Sequence, residues 1–203
     1  CLLGCGVTTG IGAVRNTAQV TPGASVAVIG LGGVGLSALM AAAEAGADPL
    51  IAVDVELSKR ELGLGLGADQ ALAPTELAAL AASLPGGGPD HVLECIGLAE
   101  TAELAVGIVR NGGTVTLVGM PEMGVRAGID IYRFVEDGKR LLGSNYGSCL
   151  PSRDFPRIAA DAIDGRLPLE RLISETISLD GIDAAFEAMR RRVGARRVVT
   201  FPG

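Results

Sequence analysis

Short, almost wholly apolar runs alternate along this chain with longer stretches whose apolar positions recur every three or four residues. The short runs fall at 25–29, 50–54, 70–73, 91–95, 114–118 and 141–144 and predict strands. Apolar residues at consecutive positions, not alternate ones, mark strands of a parallel sheet covered on both faces. The longer stretches predict helices at 2–19, 33–45, 57–66, 75–83 and 100–110, with Gly46 ending the second and Pro74 just ahead of the fourth. Pro85-Gly86-Gly87-Gly88-Pro89 and Asn111-Gly112-Gly113 are turns by composition. Strands alternating with helices of this length build right-handed βαβ units, so the predicted fold class is α/β, a doubly wound parallel sheet of the Rossmann type. Ligands of such sheets bind at the carboxyl ends of the strands.

The rhythm changes near Tyr146. Helices at 155–164 and 181–191 and strands at 172–178 and 198–201 are too few for another nucleotide-binding half, and they predict a different layer. The expected division is 1–145 for a dinucleotide-binding domain and 146–203 for part of a second one.

The candidate chemistry sits between the first two strands. In Gly30-Leu31-Gly32-Gly33-Val34-Gly35, Gly30 lets the chain turn out of the strand, Gly32 lets backbone approach a pyrophosphate, and Gly35 lets the helix pack on the sheet. The helix that follows offers free N–H groups and the positive end of its dipole to phosphate. Asp54 closes the second strand at roughly the ~20-residue spacing that places an acid on the adenosine ribose. Its carboxylate can accept from both ribose hydroxyls and repels a 2′-phosphate. Val55 and Glu56 follow it with no arginine beside them, which favours NAD over NADP.

Composition narrows the picture. A chain of 203 residues can bury one core, or one domain and part of another. Hydrophobic residues make up 48% and aromatics only 3%, a balance suited to a sheet between Ala-rich helices. No apolar run reaches the ~18 residues of a membrane span, and a net charge of −6 disfavours nucleic acid. Arg190, Arg191 and Arg192 read as cations at a helix C-terminus. Four cysteines without a Cys-x-x-Cys pair indicate no disulfide framework and a reducing cytoplasm. The chain opens on Cys1-Leu2-Leu3-Gly4-Cys5, already apolar and without Met, which is expected of a piece of a longer protein.

The motifs Gly4-Cys5-Gly6-Val7-Thr8-Thr9-Gly10, Gly30–Gly35 and Ile51-Ala52-Val53-Asp54 together carry a family resemblance. Over essentially its whole length the sequence resembles the coenzyme-binding half, with the C-terminal tail, of zinc-containing medium-chain alcohol dehydrogenases. The resemblance implies zinc- and NAD-dependent oxidation of an alcohol to an aldehyde or ketone by hydride transfer. It makes Cys5 one catalytic zinc ligand, the others being a Cys and a His of an N-terminal, GroES-like half that this sequence lacks. The isolated chain is then expected to bind cofactor without turnover. Thr9 and Val34 match positions at the nicotinamide; Val118, through its carbonyl, and Tyr146, through its N–H, match positions at the carboxamide. Ile96 and Gly97 match the ribose segment, Lys59 a lysine near the adenosine ribose, and Arg196 an arginine on the pyrophosphate.

Pairing into a homodimer or homotetramer is implied through an edge strand, with 125–129 as the candidate. Ile173, Ile177, Phe186, Val198 and Val199 are expected to lack packing partners. Cys1, Cys95, Cys149 and the single histidine, His91, read as structural. Two other readings fit the glycine turn: a zinc-free quinone or enoyl reductase of the same fold, and a non-catalytic dinucleotide-binding module. Neither has a use for Cys5.

Overall fold

Six strands pair in parallel: β1 (Val26–Ile29), β2 (Leu50–Val53), β3 (Gln70–Leu72), β4 (His91–Glu94), β5 (Thr114–Leu117) and β6 (Arg140–Gly143). A computed structural model describes residues 1–191 and 193–201. The strand order is β3-β2-β1-β4-β5-β6, so the winding direction reverses between β1 and β4 and leaves a crevice beyond their carboxyl ends. Every residue of β1 and β2 is buried, which is why both read as unbroken apolar runs.

The helices of this region are α1 (Gly6–Gly12), α2 (Gly33–Glu44), α3 (Leu57–Gly65), α4 (Pro74–Ser83), α5 (Ala99–Ile108) and α6 (Ile131–Glu136). Strand side chains alternate between two apolar cores. Val26, Val28, Leu50, Ala52 and Leu93 join Val7 and Ile11 of α1 and Leu36, Leu39 and Met40 of α2. Ala27, Ile29, Ile51, Val53, Val92 and Val115 join Leu77 and Ala81 of α4 and Ala105 and Ile108 of α5.

Three expectations need correction. The helix expected over 2–19 is interrupted: a 3₁₀ turn (Leu2–Gly4) precedes α1, and a π-helical segment (Ala13–Ala18) follows it. Cys5, at φ −149° and ψ −86°, breaks the first junction. The segment 125–129 is not a strand. Its Gly128 N–H donates to the Glu103 carboxylate at 2.7 Å and Ile129 packs against the second core, so its apolar residues serve packing and not a ladder. The open edge on that side is β6. Finally, α6 was not expected; the Asp130 side chain caps it by accepting from the Arg133 N–H at 3.1 Å.

Beyond β6 the chain forms α7 (Pro151–Ile163), β7 (Ile173–Ile177), α8 (Ile182–Arg190) and β8 (Arg196–Val199), with β7 and β8 paired in parallel as a separate small sheet. Ile158, Leu167, Leu169 and Leu172 enter the first core. Arg15 pairs with Asp161 at 2.7 Å and with Glu44 at 3.0 Å, which fastens α7 to the end of α2. Farther on, none of Ile173, Ile177, Phe186, Val198 and Val199 is buried, and Phe186 is 50% exposed. Arg190 and Arg191 stand at the end of α8; Arg192 lies outside the described residues. Among the described residues no helix is long and apolar enough to cross a membrane.

Candidate dinucleotide site

The glycine turn is built as its spacing requires. Gly30 has φ +92°, a conformation open to glycine, and a Cβ there would strike the Ile96 side chain. A Cβ on Gly35 would collide with the Gly30 carbonyl oxygen, so only glycine lets α2 lie this close to the strand end. Above Gly32 a Cβ would meet nothing within 4 Å. Asp54 is buried and tied to the same turn. One carboxylate oxygen accepts from the Leu31 N–H at 2.7 Å, and the other from the Glu56 N–H at 2.9 Å. A carboxylate offers about four acceptor positions, so two remain for a ligand.

Gly30, Gly32, Asp54, Lys59 and Ile96 line one cleft of about 370 Å³, together with Val55 and Leu98. Leu31 contributes its N–H; its side chain is fully buried in the first core. Two residues here escaped the sequence reading. Arg60 donates to the carbonyls of Asp54 at 2.9 Å and Val55 at 3.2 Å and so fixes the turn after β2. Glu94 is 1% exposed, and one of its oxygens accepts from the Ile96 N–H at 2.8 Å, the Gly97 N–H at 2.9 Å and the Thr101 hydroxyl at 2.8 Å. Its signal was visible: an acid ends an apolar strand at 94 as it follows one at 54.

A second group gathers where α1 and α2 begin. The Arg196 guanidinium lies against both Gly6 and Gly33, where any Cβ would overlap it. It therefore covers the amino end of α2, where the helix dipole and free N–H groups favour an anion. Gly10 packs so tightly on α2 that a Cβ would meet the Val34 carbonyl. The Thr9 hydroxyl donates to the Cys5 carbonyl at 2.9 Å. The Tyr146 phenol donates to the Gly4 carbonyl at 2.9 Å, and a Cβ on Gly147 would press on the Thr8 and Thr9 carbonyls. Between the two groups, Gly97 (φ +90°) abuts Gly119 and Met120, and the Val118 N–H donates to the Glu94 carbonyl at 2.8 Å. The predicted positions thus lie at strand carboxyl ends or near the start of α1 and α2, except Lys59 in the first turn of α3 and Arg196 at the start of β8.

Cys5 is free and exposed. Among the described residues no three His, Cys, Asp or Glu side chains approach closely enough to hold a metal ion. Zinc takes three or four protein ligands, so the described residues do not by themselves complete a zinc site. Burial pushes the Cys95 thiol up, and burial with the neighbouring Asp154 carboxylate pushes Cys149 up to about 11; both stay protonated at neutral pH, as structural cysteines do. Burial lowers His91, whose Nδ1 has no hydrogen-bond partner among the described residues.

Residues 33–164 match the sequence family described as zinc-binding dehydrogenase. S-(hydroxymethyl)glutathione dehydrogenase of Synechocystis sp. is 34% identical over 206 residues, covering 99% of this chain and 56% of that protein. Benzyl alcohol dehydrogenase from Acinetobacter calcoaceticus superposes with a TM-score of 0.94 at 32% identity, over 98% of this chain and 56% of that one. A structure from Sinorhizobium meliloti bound to NADP superposes at 0.80 and 28% identity, over 97% of this chain and 57% of its own. The chain spans a little over half the length of the relatives it matches. On the glycine turn, the strand order and these matches, the chain belongs to the zinc-binding dehydrogenase family and corresponds to the coenzyme-binding half of its alcohol dehydrogenases.

Proposed function

We propose that this chain binds NAD across the cleft and that the longer protein carries out zinc- and NAD-dependent oxidation of an alcohol to an aldehyde or ketone in the cytoplasm. In this reading 1–145 is the dinucleotide domain, and 146–203 is the C-terminal portion of a catalytic lobe. Cys5 would give zinc one thiolate, with the other donors outside this chain. A homodimer or homotetramer is the proposed assembly.

The observation that carries the reading is the placement of Asp54: its carboxylate is buried, bonded to the glycine turn, and lines the cleft beside Gly30, Gly32 and Lys59. The α2 N-terminus and Arg196 would hold the pyrophosphate, with Lys59 near the ribose and Ile96 and Gly97 along the floor. Thr9, Val34, the Val118 carbonyl and the Tyr146 N–H would frame the nicotinamide. Bound in this way, NAD supplies the hydride acceptor. The neighbour holding NADP means that the fold alone does not choose the cofactor. The acid at 54 does, because a 2′-phosphate ~4 Å from it would cost ~1–4 kcal/mol. Asp54→Ser should therefore narrow the ratio of NAD to NADP affinity by at least about fivefold in calorimetric titrations of the chain. An unchanged ratio would refute the assignment.

A further inference from the structure

Tyr146, Gly147 and Ser148 follow β6 with φ of +52°, +65° and +50°. Only glycine takes up such a left-handed backbone freely, so Tyr146 and Ser148 must be held in it by their surroundings. The restraints come from the start of the chain. The Thr17 hydroxyl bonds the Ser144 hydroxyl at 2.8 Å and the Ser148 hydroxyl at 2.9 Å, bridging the two ends of the turn around Tyr146. The neighbouring Asn16 amide donates to the Gly147 carbonyl at 3.2 Å. Both residues belong to the π-helical segment Ala13–Ala18, a helical irregularity that recurs at functional sites.

The turn has a matching neighbour. The Ser144 N–H donates to the Leu117 carbonyl at 2.9 Å, which sets the ends of β5 and β6 side by side. Among the described residues the Tyr146 N–H meets no acceptor and the Val118 carbonyl meets no donor. One free donor and one free acceptor on adjacent strand ends complement a primary carboxamide, which has one acceptor oxygen and an NH₂ group.

We infer that Thr17 is a positioning residue for the nicotinamide end of the cofactor: by clamping Ser144 to Ser148 it holds the left-handed turn that presents the Tyr146 N–H to the carboxamide. The inference rests on the NAD reading above. The adenosine and pyrophosphate contacts come from Asp54, Lys59, α2 and Arg196, so loss of the clamp should be felt only by a ligand that carries nicotinamide.

The experiment compares NAD with ADP-ribose, which lacks that ring, by calorimetric titration of the wild-type chain and of Thr17→Val, Thr17→Ser and Ser148→Ala. The wild type should bind NAD more tightly than ADP-ribose. Thr17→Val should weaken NAD by about three- to tenfold, the worth of one net hydrogen bond, and leave ADP-ribose within about twofold. Thr17→Ser, which keeps the hydroxyl, should restore the preference. Ser148→Ala, at an exposed position, should repeat the selective loss even if valine at 17 fails to fold. Equal losses for both ligands, or no change for either, would overturn the positioning role. A wild type that binds ADP-ribose without preferring NAD would overturn it too, while leaving the adenosine side of the site intact. A wild type that binds neither ligand would instead refute the dinucleotide reading itself.

Discussion

Gly35 and Gly107 are both helical glycines, yet the same substitution should act with opposite sign at the two. A methyl group at 35 would overlap the Gly30 carbonyl, a backbone atom of the turn that cannot swing aside. Gly35→Ala should cost about 1–3 kcal/mol through overpacking. Gly107 lies on the exposed side of α5 with nothing within 4 Å of a built Cβ, so Gly107→Ala should gain about 0.5–1 kcal/mol of helix propensity. Urea unfolding of the two variants checks both signs, and a neutral Gly35→Ala would mean that α2 does not need its close approach. Residue-scale geometry was legible where a short motif dictates it: Gly30 and Gly35 give the turn and the close helix packing expected of them, and Asp54 stands beside that turn. It was illegible where a side chain acts through tertiary neighbours. Arg60 holds the turn after β2 by bonds to the Asp54 and Val55 carbonyls, and nothing in its immediate sequence announces them; Glu94 was visible as an acid at a strand end, but not its partners.

At the scale of elements, β1 and β2 were legible because burial on both faces leaves them wholly apolar, and the outer strands because short apolar runs persist in them between turns. Short or locally strained pieces were not. α6 spans only Ile131–Glu136, with all six residues exposed or half-buried, so no apolar periodicity marks it. The left-handed turn at 146–148 includes Tyr146 and Ser148, residue types that do not by themselves predict positive φ; the bonds that hold it come from Thr17 and Asn16, far away in sequence.

The β4 strand carries a testable electrostatic consequence. Burial lowers His91 below its ordinary 6.5, so the folded state binds a proton less readily than the unfolded chain does. Stability is unaffected above about pH 7 and falls as the pH drops below the unfolded-state value, because the unfolded chain protonates first. His91→Gln should flatten the fall in urea midpoint between about pH 7.5 and pH 5.5. An undiminished fall would assign that limb to other groups.

For the whole molecule, one sheet brings together residues that lie far apart in the chain. Gly30, Asp54, Ile96, Val118 and Tyr146 follow five successive strand ends, and Arg196 returns from the last strand to cover the start of α2. The small β7–β8 sheet leaves Phe186 and its apolar neighbours outside any core, while Cys5 is exposed and belongs to no group of three metal donors among the described residues. In the proposed reading, cofactor affinity and reaction chemistry are thus separable, and the first would belong to this chain. The most direct measurement is a calorimetric titration of the chain with NAD. Saturable heat with one site per chain, lost or sharply weakened in Arg196→Ala, is the expected result. Absence of any heat of binding across a millimolar range of NAD would contradict it.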